Sequence, residues 1–147
     1  MYRRILIAID GSELAARGLE HGLALATQLQ AEVAVVTVSE PPISGYEDAL
    51  GGPAFALLPE YQRAQEATAT RVLQSARDAA AAAGITAETV HVPNRYAADG
   101  IIETAEQRGS DLIVMASHGR RGLGRLVLGS QVSEVLARSG IPVLVIR

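Results

Sequence analysis

Ile5-Leu6-Ile7-Ala8-Ile9 is a short, uninterrupted apolar run rich in β-branched side chains, and Asp10-Gly11-Ser12 ends it. A strand that faces water on one side alternates apolar and polar residues. A run with no polar break reads instead as a strand covered on both faces, the environment of a parallel sheet. Ser12 is suited to cap the helix that follows, from Glu13 to about Leu29. In that helix Leu14, Gly18, Leu25 and Leu29 fall near one face, and Gly18 and Gly22, one turn apart, would let it lie close to the sheet. Val33 to Val38 then gives a second apolar strand. The opening of the chain is therefore β-α-β.

The same alternation continues outward. Residues 40–59 hold Pro41, Pro42, Gly45, Gly51, Gly52, Pro53 and Pro59 and show no period, so they read as a long, mobile loop. Residues 60–83 carry a helical pattern that runs into alanines and a Gly84 cap. A third strand is expected over residues 86–92, a turn at Pro93-Asn94-Arg95, and a helix over residues 97–107 with Gly109 as its stop. Residues 112–115 form a fourth apolar strand. A Gly- and Arg-rich connection leads to a helix over Ser130–Arg138, with Gly140 as its stop, and Val143–Ile146 is the last strand. Five apolar runs alternating with helices predict one α/β domain over residues 1–147. Its expected form is an open sheet of five mainly parallel strands with helices on both faces. The runs at residues 5–9 and 112–115 have the least polar interruption and should lie side by side at the centre.

Composition narrows the chemistry. The chain has 147 residues, 48% of them hydrophobic and 20% charged, with a formal net charge of −3. A general binder of nucleic acid or of anionic membranes is normally basic, so neither is expected as a partner. There is no Cys, which excludes a disulfide scaffold, a zinc–thiolate centre and a cysteine nucleophile. All 13 basic residues are Arg, which excludes the P-loop lysine and a Schiff-base lysine. Aromatic residues make up 3%, with no Trp, leaving little material for base-stacking platforms. No apolar run approaches the roughly 18 residues of a membrane span. The five-residue run after Arg3 and Arg4 is too short for a signal peptide, so the chain reads as cytoplasmic.

Ligands of open α/β sheets sit beyond the carboxyl ends of the strands, where strand order switches. The most informative connection there is Ala116-Ser117-His118-Gly119-Arg120-Arg121-Gly122-Leu123-Gly124-Arg125-Leu126-Val127-Leu128-Gly129-Ser130. It is about twice the usual length of a βα loop. Its glycines allow close backbone approach to a ligand, and the first amides of the helix beginning at Ser130 offer an anion site. Gly122-x-Gly124 begins a dinucleotide fingerprint, but Val127 breaks it. Asp10 has two readings, contact with a ligand's ribose or a metal, or a turn acid that accepts the amides of residues 12–13. Val38 is either a backbone contact for a base or an ordinary core residue. His118 reads as polar lining, since neither His21 nor His91 is spaced to make a metal pair with it. No G-x-S-x-G is present and no acidic cluster suggests a two-metal site, so no catalytic or metal-binding residue is assigned.

These residues resemble the universal stress protein family. Its first strand ends in an Asp-x-Ser-like turn, and its late signature is G-x-x-G, nine residues, then G-(S/T). Here Ala116-Ser117-His118-Gly119 is followed by nine residues and Gly129-Ser130, and the chain closes on Ile141-Pro142-Val143-Leu144-Val145-Ile146. The resemblance spans essentially the whole chain. Its one departure is Ala116 in place of the first signature glycine, which matters if that position needs φ > 0.

The resemblance implies a Rossmann-like sheet in the strand order 3-2-1-4-5, a homodimer, and a site for ATP or AMP, with Mg²⁺ as an accompanying ion. Ala8 and Asp10 would lie at the adenosine, and Val38 would meet the adenine by its backbone. Ala116, His118 and Gly119 would wrap the ribose and phosphates, and Gly129, Ser130 and Gln131 would hold the phosphates. Arg120 and Arg121 are added from charge alone. The last strand, Val143–Ile146, is apolar and is expected to pair with its own copy across a two-fold axis. The function so implied is a nucleotide-binding stress or regulatory dimer with little or no turnover. The alternatives are a dimeric interaction module that binds no nucleotide and a slow ATPase.

Overall fold

The computed structural model of the chain describes residues 1–41, 52–119 and 128–147. Five parallel strands, β1 (Arg4–Ala8), β2 (Glu32–Ser39), β3 (Glu88–Pro93), β4 (Leu112–Ala116) and β5 (Val143–Ile146), form one sheet in the order β3-β2-β1-β4-β5. The helices are α1 (Glu13–Leu29), α2 (Gly52–Ala82), α3 (Ala97–Gln107) and α4 (Ser130–Arg138). The expected strand order and the central pairing of β1 with β4 are both observed.

Successive side chains of a strand point to opposite faces, so each central strand feeds two cores. Ile5, Ile7, Val33, Val35, Leu112 and Val114 meet Leu19, Leu23, Leu73 and Ala76 on the α1–α2 face. Leu6, Ala8, Ala34, Val36, Ile113 and Met115 meet Ile101, Ile102, Ala105, Val132 and Val135 on the α3–α4 face. This is why the runs lack polar breaks: a polar residue at either parity would be buried without a partner.

Several local expectations are corrected. The buried stripe of α1 is Ala15, Gly18, Leu19, Gly22, Leu23 and Ala26. Leu14 and Leu25 are half-buried and Leu29 is exposed. Ser12, whose Oγ accepts the Ala15 N–H at 3.2 Å, fixes the helix start and hence its rotation. That rotation puts small residues at the closest approach to the sheet and the three leucines on one flank. At Gly22 a Cβ would fall 2.6 Å from Ile7 Cδ1, so α1 could not lie so near with a larger residue there.

Helix α2 starts at Gly52 rather than at residue 60, so residues 52–59 are not loop. Pro53 falls in the first turn, where the missing N–H would have had no intrahelical partner. Pro59 forfeits a single i→i−4 bond, and Ala56, Leu57 and Leu58 before it and Glu60, Gln62, Arg63 and Ala64 after it favour helix. The remainder of the long loop expected to be mobile, residues 42–51, lies outside the described residues. β3 begins at Glu88 because Gly84, at φ +73°, and the Ile85 N–H bonded to the Ala80 carbonyl spend the intervening residues on the helix cap. Gly109 does adopt φ +61° at the end of α3. Gly140 is not the stop of α4. The cap is Ser139 at φ −72°, whose Oγ accepts the Ile141 N–H at 3.0 Å and turns the chain towards Pro142.

The amino end of the sheet is tied by polar contacts. The Asp111 carboxylate accepts the N–H groups of Arg3 at 2.8 Å and Arg4 at 3.0 Å, and the Asp111 N–H returns to the Arg4 carbonyl at 2.9 Å. Burial works to raise the Asp111 pKa, but the backbone N–H groups of Arg3, Arg4 and Asp111 itself outweigh it and hold the carboxyl below the ordinary aspartate value. Exposed ion pairs, Arg4–Glu32 and Arg108–Glu88, flank it. No described helix is long and apolar enough to cross a membrane.

Candidate functional site

β1 and β4 lie side by side, yet one chain connection leaves β1 towards β2 and the other leaves β4 towards β5. A cleft opens at their carboxyl ends for that reason. Ala8, the last residue of β1, is buried opposite Met115. Beyond it, Gly11 adopts φ +82° and lets the chain reverse, so that Asp10 Oδ1 accepts the Ser12 N–H at 2.9 Å. The turn-acid reading of Asp10 is thereby observed.

The carboxylate also faces across the cleft. A Cβ built at Gly119 would sit 2.6 Å from Asp10 Oδ2, closer than real Cβ atoms come to a heavy atom. The backbone after β4 therefore passes close to the Asp10 carboxylate, and a side chain at 119 would require that carboxylate to move. Asp10 and the loop after β4 approach each other as their places in the fold require.

The base of that loop is closed by main chain. The Ser117 N–H bonds to the Ile146 carbonyl at 2.7 Å, and the Gly129 N–H bonds to the Ser117 carbonyl at 2.8 Å. A Cβ at Gly129 would come within 3.3 Å of His118 Cα and 3.5 Å of the Ser117 carbonyl oxygen. Gly129 has φ −59°, so glycine serves there for space and not for a left-handed turn. Ala116 resolves in the same way. It is a regular, buried β4 residue, and among the described residues the positive-φ non-glycine residues are Gln30 and Asn94. Alanine in place of the first signature glycine is thus unstrained.

Ser130 is exposed and opens α4, whose N-cap, Gly129, makes no side-chain capping bond. The first turn of a helix leaves N–H groups without intrahelical acceptors, and their dipoles favour an anion. Gln131 is more specific than the sequence suggests. Its Oε1 accepts the Ala98 N–H at 2.9 Å, so its side chain is committed to the start of α3, while its main-chain N–H stays in the first turn of α4. The half-buried His118 ring contacts Ser117, with Nδ1 and Oγ 3.3 Å apart. Val38 is half-buried near the carboxyl end of β2, in register with Val92. Arg120 and Arg121 lie outside the described residues.

Two contributors escape a reading of the sequence. Gly100 lies in α3, where a Cβ would be 2.8 Å from Val38 Cγ2, so its absence lets α3 settle onto the strand end that carries Val38. A glycine inside an otherwise helical pattern was the available signal. Ser39 Oγ and His91 Nε2 are joined by a 2.8 Å hydrogen bond at the neighbouring strand ends, and no sequence spacing announces that pair. Among the described residues no group of three His, Cys, Asp or Glu could hold a metal. A shallow depression of about 500 Å³ lies at the other end of the sheet, bordered by Ala26, Gln30, Gly84 and Ile85, and takes no part in this arrangement.

Comparison with known proteins agrees with this architecture. The model of the universal stress protein family matches residues 1–147. The chain belongs to that family. Universal stress protein YxiE of Bacillus subtilis is 31% identical over 152 residues, covering all of both chains. The fold matches that of universal stress protein UspA from Lactobacillus plantarum with a TM-score of 0.83 at 23% identity, over 99% of this chain and 98% of that one. A universal stress protein solved in complex with cAMP is 26% identical, with a TM-score of 0.73 over 99% of this chain and 97% of that one.

Proposed function

We propose that this universal stress protein binds an adenine nucleotide, ATP or AMP with Mg²⁺ on its phosphates, as a cytoplasmic regulatory homodimer with little or no turnover. One observation carries the reading: Gly119 brings the backbone after β4 against the Asp10 carboxylate and Gly129 packs tightly on Ser117 and His118, with little room at either for a side chain. These contacts bring a carboxylate suited to ribose hydroxyls and a set of helix-start amides suited to phosphates to opposite sides of one cleft. In this reading Ala8 and Asp10 border the adenosine, and Val38 offers its backbone to the base. Ala116, His118 and Gly119 line the ribose and phosphates, and Gly129, Ser130 and the Gln131 main chain hold the phosphates. Arg120 and Arg121 add charge. The cAMP complex of a relative supports an adenine ligand.

Binding without rapid turnover follows from what the cleft offers. In this reading His118, whose ring meets the Ser117 hydroxyl, lines the site and does not act as a general base. Isothermal titration with ATP and Mg²⁺, with mass spectrometry of any nucleotide released from the purified protein, tests the proposal. Binding at micromolar to sub-millimolar ATP is expected. No heat at millimolar ATP and no co-purified nucleotide would leave the nucleotide-free interaction module. Rapid multiple turnover lost in His118→Ala would instead make the protein an ATPase.

The dimer is proposed through β5. One sheet edge, β3, carries Glu88, His91 and Pro93 and is blunted. The other, β5, is Val-Leu-Val-Ile with Leu144 37% exposed, and Leu136 on the adjacent α4 is 44% exposed. Pairing of β5 with its own copy would cover both the strand edge and the leucines. Val145→Asp should yield a monomer by light scattering, whereas an unchanged mass would place the interface elsewhere.

A further inference from the structure

We infer that Gln131 is a positioning residue, whose side chain sets the phosphate-facing start of α4 by capping α3 at Ala98. The inference rests on the nucleotide-binding reading and adds to it a mechanical link between the two ends of the cleft. α4 has nine residues, of which Val132 and Val135 are buried. So short a helix has little stability of its own, and its direction is set by what it touches. α3 has the complementary deficiency. Its N-cap is Tyr96, 56% exposed, which makes no side-chain capping bond. The Ala98 N–H is one of the groups that a helix start leaves without an intrahelical acceptor. Gln131 Oε1 supplies the acceptor at 2.9 Å from 33 residues away, in a partly buried position.

The same two helices are joined again by Arg138, whose guanidinium donates to Asp99 Oδ1 at 2.7 Å. That second contact is half exposed and screened by water, so the partly buried amide bond is the more directional of the two. On its other side α3 rests on Val38 through Gly100. α3 is therefore a bar whose one face touches the strand end proposed for the base and whose N-terminus is fastened to the helix proposed for the phosphates. Without the Gln131 acceptor the α4 start keeps its two valines and the Gly129–Ser117 main-chain bond but loses its tie to α3, and the amides at Ser130 and Gln131 lose their aim. The base end, held by Val38 and Gly100, does not.

The test compares Gln131→Met, which keeps length but loses the strong acceptor, with Gln131→Glu, which keeps an acceptor oxygen. Amide exchange at Ala98 and calorimetric affinities for ATP and for adenosine are measured in each. Gln131→Met should speed Ala98 exchange and weaken ATP about tenfold, the range of a lost helix cap, while adenosine changes less than about twofold. Gln131→Glu should keep Ala98 protected and recover most of the ATP affinity.

Unchanged Ala98 exchange in Gln131→Met would overturn the inference. So would equal losses for ATP and adenosine, which would mean general destabilisation. If Gln131→Glu keeps Ala98 protected yet loses ATP as fully as Gln131→Met, the side chain acts on the phosphates directly and the positioning role is wrong. A wild-type chain that binds no ATP while Ala98 still opens in Gln131→Met would reduce Gln131 to a helix cap, and would end the nucleotide reading separately.

Discussion

The two ends of the sheet are built from the same strands and by opposite means. At the amino end, polar side chains satisfy the backbone: Asp111 takes the N–H groups of Arg3 and Arg4, and exposed Arg–Glu pairs surround it. At the carboxyl end, side chains are withheld. Gly119 stands where a methyl group would press on the Asp10 carboxylate, Gly129 packs tightly on His118, and α4 begins beside them. The first arrangement spends its hydrogen bonds on stability. The second, in the proposed reading, sets the Asp10 carboxylate and the start of α4 around a nucleotide. The difference separates substitutions that should cost binding from those that should cost only stability.

Gly129→Val should give the largest effect. Its branched side chain would strike His118 Cα and displace the first turn of α4, removing two or so hydrogen bonds to charged phosphate. At roughly 1.5–3 kcal/mol each, their loss weakens ATP about a hundredfold or more. Titration calorimetry measures this, and an unchanged circular dichroism spectrum shows that the sheet persists. Gly119→Ala comes next. The added methyl group presses on Asp10 Oδ2, so the carboxylate must rotate away from its ligand-facing position, and affinity should fall about tenfold, the equivalent of roughly 1–2 kcal/mol of overpacking. Wild-type affinity in this variant would show that Asp10 serves only its own turn.

At the amino end the effects should be smaller and confined to stability. The folded-state pKa of Asp111 lies below its unfolded value, so its contribution is present above the unfolded value and is lost as pH falls through the folded one. Asp111→Asn should therefore lower Tm at pH 7 by about 2–4 °C, as expected for a loss near 1 kcal/mol. The gap to wild type should close below about pH 4, near the ordinary aspartate pKa. A gap that persists undiminished into acid would mean that shape and not charge is at work. Smallest of all is Glu32→Gln. Arg4 and Glu32 are 57% and 79% exposed, so thermal melts should shift by no more than the few tenths of a kcal/mol of a surface pair.

How much of this was legible in the sequence follows the range of the interactions. The central pairing of β1 with β4 was readable because it depends on uninterrupted apolar runs, whereas the strand order came with the family resemblance. The phase of α1 was not. Leu14, Leu25 and Leu29 look more hydrophobic than Gly18, Ala15 and Ala26, yet close packing on a sheet favours the small residues. The start of α2 was hidden by prolines, whose cost depends on position in the helix. In the site, Asp10, Gly119 and Gly129 stood out by place and spacing. The Gln131 bond to Ala98, the seat of Gly100 on Val38 and the Asp111 clamp on Arg3 link elements distant in sequence, and nothing local encodes such contacts.

The most direct test of the contrast between the ends is an amide-resolved NMR titration of the wild-type protein with ATP and Mg²⁺. Shifts should gather at Asp10, Ser117, Gly119, Gly129, Ser130 and Gln131, while Arg4, Gly84 and Asp111 stay still. No shifts at millimolar ATP, or shifts centred on the depression beside Gln30 and Gly84, would contradict the account.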